Sequence, residues 1–255
     1  MRIGFLDSGV GGFSVLFEVH RRAPELDKLY LADTAHFPFG PRPGEEILAI
    51  VGATVRFLQS KGAEALVLAC NSSSSVTEGL SFPIPVLGLI EHGAKAALSA
   101  TRSGRIGVIA TEGTIRSGSY DRWLHRLGGP SIYVRSLATP LLAPLVESGR
   151  TEGRTALAIV SSQLSPLLAE DIDVLLLGCT HYPFLNHLLR EILPEGVTLV
   201  DPASGVAELV RNLYQGGKGS IEYYVTGPVK VFEKIGRKIL GTRVRAQRVA
   251  LDLHF

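Results

Sequence analysis

Leu66-Val67-Leu68-Ala69-Cys70-Asn71 and Leu175-Leu176-Leu177-Gly178-Cys179-Thr180 are one phrase written twice: an apolar run, a small residue, a cysteine and a short polar side chain. A second pair echoes in the same order and at nearly the same offset, Ile3-Gly4-Phe5-Leu6-Asp7-Ser8 and Ile106-Gly107-Val108-Ile109-Ala110-Thr111. One matched apolar run is a common accident. Two in the same order, with a cysteine ending the same run in each copy, imply an internal repeat. The chain is therefore expected to build two similar lobes.

The remaining apolar runs, Leu29 to Ala32, Ile132 to Val134 and Thr198 to Val200, are rich in Val, Ile and Leu and alternate with helical patterns. Ile47, Val51, Val55 and Leu58 recur at helical spacing, and Gly62 follows as a terminator. This is the rhythm of a parallel sheet covered by helices. The expected fold class is α/β, with two pseudo-symmetric lobes, each a mostly parallel sheet flanked by helices, and an active site in the cleft between them. The segment after about Gly205 has no counterpart between the repeats and is assigned back to the first lobe. The expected division is residues 1–95 with 206–255 as one lobe and 96–205 as the other.

Ligands of open parallel sheets collect beyond the carboxyl ends of the strands. Asp7, Asp33, Cys70, Thr111 and Cys179 all fall at such ends, so facing lobes would bring Cys70 and Cys179 to opposite walls of one cleft.

Composition narrows the class. Of 255 residues, 45% are hydrophobic and 20% charged, with a net charge of +2 and acids and bases interspersed. Such a balance supports a packed core and offers no basic stripe for nucleic acid. The apolar start Ile3 to Leu6 meets Asp7 too early for a signal peptide, and no later run approaches the ~20 residues of a membrane span. Two cysteines are too few for a disulfide framework. A cytoplasmic protein with no membrane and no nucleic-acid partner is expected.

The turn Asp7-Ser8-Gly9-Val10-Gly11-Gly12 lets backbone N–H groups approach an anion at a helix start, but it matches neither the dinucleotide fingerprint nor the P-loop. A tight structural turn is an equal reading, and Asp7 is either a base or a helix cap. Cys70-Asn71-Ser72-Ser73-Ser74-Ser75 combines hydroxyls, an amide and free N–H groups suited to a carboxylate, and a helix start would favour the Cys70 thiolate. Alternatively it is a core cysteine followed by capping serines. In Gly178-Cys179-Thr180-His181-Tyr182-Pro183, the proline suits a first helical turn and His181 can raise the thiolate fraction of Cys179 or exchange protons with it. The loop His36 to Pro43 is stiffened by three prolines and suits a substrate wall or a plain connection. Glu147, after an apolar helical pattern, reads on its own as a solvated residue. Zinc held by the cysteines, a histidine and an aspartate is disfavoured because the cysteines form no closely spaced pair. A single-nucleophile hydrolase would leave the second cysteine unexplained.

Over essentially its whole length the sequence resembles glutamate racemase. The resemblance is carried by Asp7 to Gly12, Ala32-Asp33-Thr34-Ala35 with Pro38-Phe39-Gly40, Ala69-Cys70-Asn71, Ile109-Ala110-Thr111 with Gly113-Thr114, Pro144-Leu145-Val146-Glu147, and Gly178 to Pro183. It implies cofactor-independent interconversion of L- and D-glutamate by two cysteines, Asp7 assisting Cys70 and His181 assisting Cys179. It implies substrate contacts from Asp7, Ser8, Phe39, Gly40, Asn71, Ser72, Thr114 and Thr180, and an auxiliary role for Glu147. It also implies no metal, and D-glutamate made for peptidoglycan, hence cell-wall biogenesis and cell shape. A homodimer is compatible with it, although the sequence leaves oligomeric state open. Four kinds of position depart from the family pattern: Phe39 where tyrosine is usual, Ser72 where threonine is usual, serines where two alanines are usual, and His92 in place of proline. The alternatives are a related racemase or decarboxylase acting on aspartate or another small carboxylate, and a regulatory binding module, against which the retained cysteines, Asp7 and His181 argue.

Overall fold

The computed structural model describes residues 1–253. Ten strands occur among them: β1 (Arg2–Asp7), β2 (Asp27–Ala32), β3 (Ala65–Leu68), β4 (Val86–Leu87), β5 (Arg105–Ala110), β6 (Tyr133–Ala138), β7 (Val174–Gly178), β8 (Thr198–Val200), β9 (Ile221–Val225) and β10 (Ala246–Arg248). They form two sheets, ordered β10-β9-β2-β1-β3-β4 and β6-β5-β7-β8, with every paired neighbour parallel. Without β9 and β10, the first order maps onto the second strand for strand. The echoed runs are β1 with β5 and β3 with β7, the two central strands of each four-strand unit. β9 and β10 extend the first sheet beyond β2, and neither is foreshadowed by a strong apolar run in the sequence.

Helices cover both faces, so the central strands bury both sets of alternate side chains. Ile3, Phe5, Tyr30, Ala65 and Val67 enter one core, and Leu6, Leu29, Leu31, Leu66 and Leu68 enter another. In the second sheet Leu175 and Leu177 face one core, and Val174 and Leu176 the other. Period-two alternation then decides where the cysteines go. Cys70 continues the Leu66-Leu68 face and Cys179 the Leu175-Leu177 face, so each thiol leaves its sheet on the equivalent side. The helix Ile90–Ala100 packs against Ser119–Gly128 on one side and Ala203–Leu213 on the other, tying the two sheets together.

At the opposite end of the second sheet, Asp173 precedes β7 and accepts from Thr101 Oγ1 at 2.5 Å, Arg102 N at 2.6 Å and Ser103 N at 2.7 Å. Burial opposes its charge, but these hydrogen bonds outweigh burial and bring the carboxyl down to about 2. A depressed carboxyl stabilises the fold above its unfolded pKa, and the gain is lost as pH falls through the folded value. Asp173→Asn should therefore lower the urea midpoint at pH 7, with the gap from wild type closing between about pH 4 and pH 2. A gap unchanged at pH 2 would refute this account of the loop.

Candidate active site

The glycine-rich turn between β1 and the helix Phe13–Arg22 meets the second lobe directly. Gly9 N donates to Asp7 Oδ1 at 2.7 Å, and Val10 N donates to Glu147 Oε1 at 2.7 Å. A Cβ on Gly9 would lie 1.9 Å from Glu147 Oε1, and one on Gly11 would lie 2.3 Å from His181 Nδ1. A Cβ at either position would push Glu147 or His181 off the hydrogen bonds they make here, so the bare α-carbons leave room for two side chains of the second lobe. The turn does attract an anion, but that anion is the protein's own Glu147 carboxylate.

Glu147 ends the short helix Leu142–Glu147 and its side chain is only 15% exposed. Its reading as a solvated residue was wrong, because the sequence pattern carries no sign of the opposite lobe's turn. The same Oε1 that accepts from Val10 meets His181 Nε2 at 2.8 Å. The other ring nitrogen, Nδ1, lies 3.6 Å from Cys179 Sγ. Burial alone would lower the imidazole, yet the hydrogen bonds and charges of Cys179 and Glu147 outweigh it and hold His181 well above its usual range. Both ring nitrogens are then donors.

Cys70 is the N-cap of the helix Asn71–Val76. Burial and the nearby charge of Asp7 push its thiol up to about 12, against the opposing pull of the Ser72 and Ser73 backbone N–H groups. The helix start does pull toward the thiolate as expected, through the Ser72 and Ser73 N–H groups, but six residues of helix do not outweigh burial beside Asp7. Asp7 is itself fully buried, and burial raises its carboxyl. Its hydrogen bonds run to Gly9 N and, across the lobes, from Thr180 Oγ1 to Asp7 Oδ2 at 3.1 Å.

Cys70 and Cys179 line one small cavity whose free space is about 20 Å³, together with Ser8, Phe37, Pro38, Phe39, Gly40, Asn71, Ser72, Thr111, Ala143, Thr180 and His181. Asp7, Glu147 and Thr114 stand behind this wall. Thr114 reaches it through hydroxyls, since Ser72 Oγ lies 3.0 Å from Thr111 Oγ1, which lies 3.1 Å from Thr114 Oγ1. Of the four serines only Ser72 faces the cavity; Ser73 and Ser74 donate to Cys70 O, and Ser75 donates to Ser72 O. The wall is roofed where a Cβ on Gly113 would meet Gly40 O at 2.4 Å. Asp33 is not on the wall: it accepts from Thr226 Oγ1 at 2.6 Å and binds His36 Nδ1 at 2.8 Å, anchoring the loop that carries Phe39. Ala143 went unnoticed in the sequence because a small apolar residue on a helix carries no chemical signal. Among the described residues, no three His, Cys, Asp or Glu side chains are arranged to hold a metal ion.

The profile of the family described as Asp/Glu/Hydantoin racemase matches residues 15–210. The chain belongs to this family. Within it, a glutamate racemase of Exiguobacterium sibiricum is 39% identical, the alignment covering 98% of this chain and 96% of the relative. The crystal structure of a glutamate racemase isoform from Bacillus anthracis superposes with a TM-score of 0.90 at 38% identity, covering 98% of this chain and 97% of that one. That of Francisella tularensis glutamate racemase in complex with D-glutamate gives 0.87 at 28% identity, covering 99% and 98%. These racemases share the fold of two α/β lobes.

The Glu147 carboxylate is a removable cause of the raised His181 titration. Glu147→Gln should bring the imidazole transition down toward the ordinary range in an NMR pH titration. A transition that stays put would show that Glu147 does not hold the charge of His181.

Proposed function

We propose that this protein interconverts L- and D-glutamate without a cofactor, by proton transfer between the substrate α-carbon and the two thiols of one cavity. The observation that carries this reading is the placement of Cys70 and Cys179, at matching strand ends of the two sheets, on the wall of the same cavity. Inverting an α-carbon needs a proton removed from one face and another returned to the opposite face. One base cannot serve both faces of a held substrate, and two thiols can.

The thiols differ in their surroundings. Cys70 keeps its proton, being buried beside Asp7, while Cys179 lies 3.6 Å from an imidazole that Glu147 helps to keep cationic. A positive imidazolium offsets negative charge on the Cys179 sulfur. In this state Cys179 takes the α-proton of L-glutamate and Cys70 delivers one to the other face. The reverse direction exchanges the roles: Cys70, left as thiolate once its proton is delivered, takes the α-proton of D-glutamate, and Cys179 delivers its own proton to the other face, with Asp7 beside Cys70 to exchange a proton with it between turnovers. The carbanion forms in a site from which water is largely excluded, where the side chains of Asn71, Ser72 and Thr180 and the loop Ser8 and Phe39-Gly40 hold the carboxylates. Thr114 supports Ser72 through the hydroxyl chain.

In this reading residues 1–95 with 206–255 form one lobe and 96–205 the other, and the product D-glutamate feeds peptidoglycan synthesis in the cytoplasm, by resemblance to the family. No helix among the described residues is long and apolar enough to cross a membrane. A homodimer is compatible with the family likeness.

Circular dichroism of pure enzyme with each enantiomer of glutamate, and of aspartate, tests the reaction and its substrate. Dialysis against a chelator should leave racemisation unchanged; loss restored by zinc would sink the two-thiol account. Cys70→Ala and Cys179→Ala should each lose steady racemisation by orders of magnitude. Each variant should still exchange the α-proton of one enantiomer with deuterated solvent, Cys70→Ala that of L-glutamate and Cys179→Ala that of D-glutamate. Equal exchange of both enantiomers in both variants would end the assignment of one thiol to each face.

A further inference from the structure

We propose that the Tyr120 hydroxyl is a positioning residue, fixing the Asn71 carboxamide so that its amino group is turned into the cavity to donate to a substrate carboxylate. The inference rests on reading this cavity as the glutamate site.

Asn71 is 2% exposed and lines the cavity from the first lobe. Tyr120 comes from the second lobe, in the helix Ser119–Gly128, and its hydroxyl donates to Asn71 Oδ1 at 2.6 Å. The other end of the carboxamide, Nδ2, is buried and has no hydrogen-bond partner. A buried amide donor left open beside a cavity is costly when the cavity is empty and is satisfied when an acceptor enters. A carboxylate offers only acceptors, so it selects the orientation in which nitrogen, not oxygen, faces it.

The carboxamide alone has no means of choosing that orientation, because its two ends are nearly equal in size. Tyr120 supplies the choice. Among the described residues its hydroxyl has no hydrogen-bond acceptor other than Asn71 Oδ1, so a flipped amide could donate to the phenol oxygen but would leave the buried O–H proton without an acceptor. Burial also holds the phenol well above its usual range, so it remains a donor. Its ring is boxed in: a Cβ on Gly93 would lie 3.0 Å from the ring edge and from the hydroxyl, and one on Gly178 would lie 3.0 Å from the opposite edge. Gly178, the residue before Cys179, thus makes room for the ring that orients Asn71, the residue after Cys70.

The substrate carboxylate is charged before and during reaction, so losing its donor weakens binding more than turnover. Steady-state kinetics in both directions, with thermal midpoints, should be measured for wild type, Tyr120→Phe, Asn71→Ala, the double variant and Asn71→Asp. Tyr120→Phe should raise KM for both enantiomers by about tenfold, the worth of one oriented hydrogen bond, with a much smaller change in kcat. Because Tyr120 acts through Asn71, the double variant should be no worse than Asn71→Ala alone. An unchanged KM in Tyr120→Phe, or losses that multiply in the double variant, would overturn the proposal while wild-type racemisation leaves the functional reading standing. If Tyr120→Phe fails to fold, Asn71→Asp decides: it still accepts from Tyr120 but turns a carboxylate oxygen toward the substrate, and KM should rise about tenfold or more. A near-wild-type KM in Asn71→Asp would refute the assigned orientation. Wild type that leaves glutamate unchanged would overturn the functional reading, and this inference with it.

Discussion

The Glu147 carboxylate accepts from a backbone N–H of the first lobe and holds the imidazole of the second, and the surroundings of Cys179 depend on that double attachment. Remove the carboxylate and His181 loses a partner for Nε2, while the turn Gly9-Val10 loses its contact with the facing lobe. A buried polar group must find its partners inside the protein. Here the partners come from elements far apart in the chain, so satisfying them brings the lobes into register. The bare α-carbons of Gly9 and Gly11 are the steric side of the same constraint.

The two thiols inherit different environments from one architecture. Alternation along β3 and β7 places both on equivalent faces of similar sheets, yet the residues that meet them are not symmetric. Cys70 faces the charge of Asp7 and is pushed up; Cys179 faces His181. Duplicated backbone with unlike neighbours is what lets one thiol hold its proton while the other is placed to take one. Cross-lobe contacts recur around the cavity, from Thr180 to Asp7, from Ser72 to Thr111 and from Tyr120 to Asn71. Each is a short polar bond that forms only when the lobes are close.

The repeat, the parallel sheets and the strand-end position of Asp7, Cys70 and Cys179 were all readable from sequence, because they follow from local rules: apolar runs, period-two alternation and chain direction. Family likeness singled out His181, Glu147 and the substrate-loop residues, which pattern alone left ambiguous. Strands β4, β9 and β10 escaped notice, since Val86–Leu87 is only two residues long, Ile221–Val225 mixes polar and apolar residues beside β2 at one side of the sheet, and Ala246–Arg248 lies on its edge. What only the tertiary structure decided is which groups from opposite lobes meet. Tyr120 on Asn71, Glu147 against Val10, and the fate of Ser73 to Ser75 as carbonyl-bonded rather than cavity-facing hydroxyls depend on lobe orientation and on burial. Residue type fixes what a side chain can bond to, but its protonation and its partner are set by the low-dielectric surroundings that the folded lobes create between them.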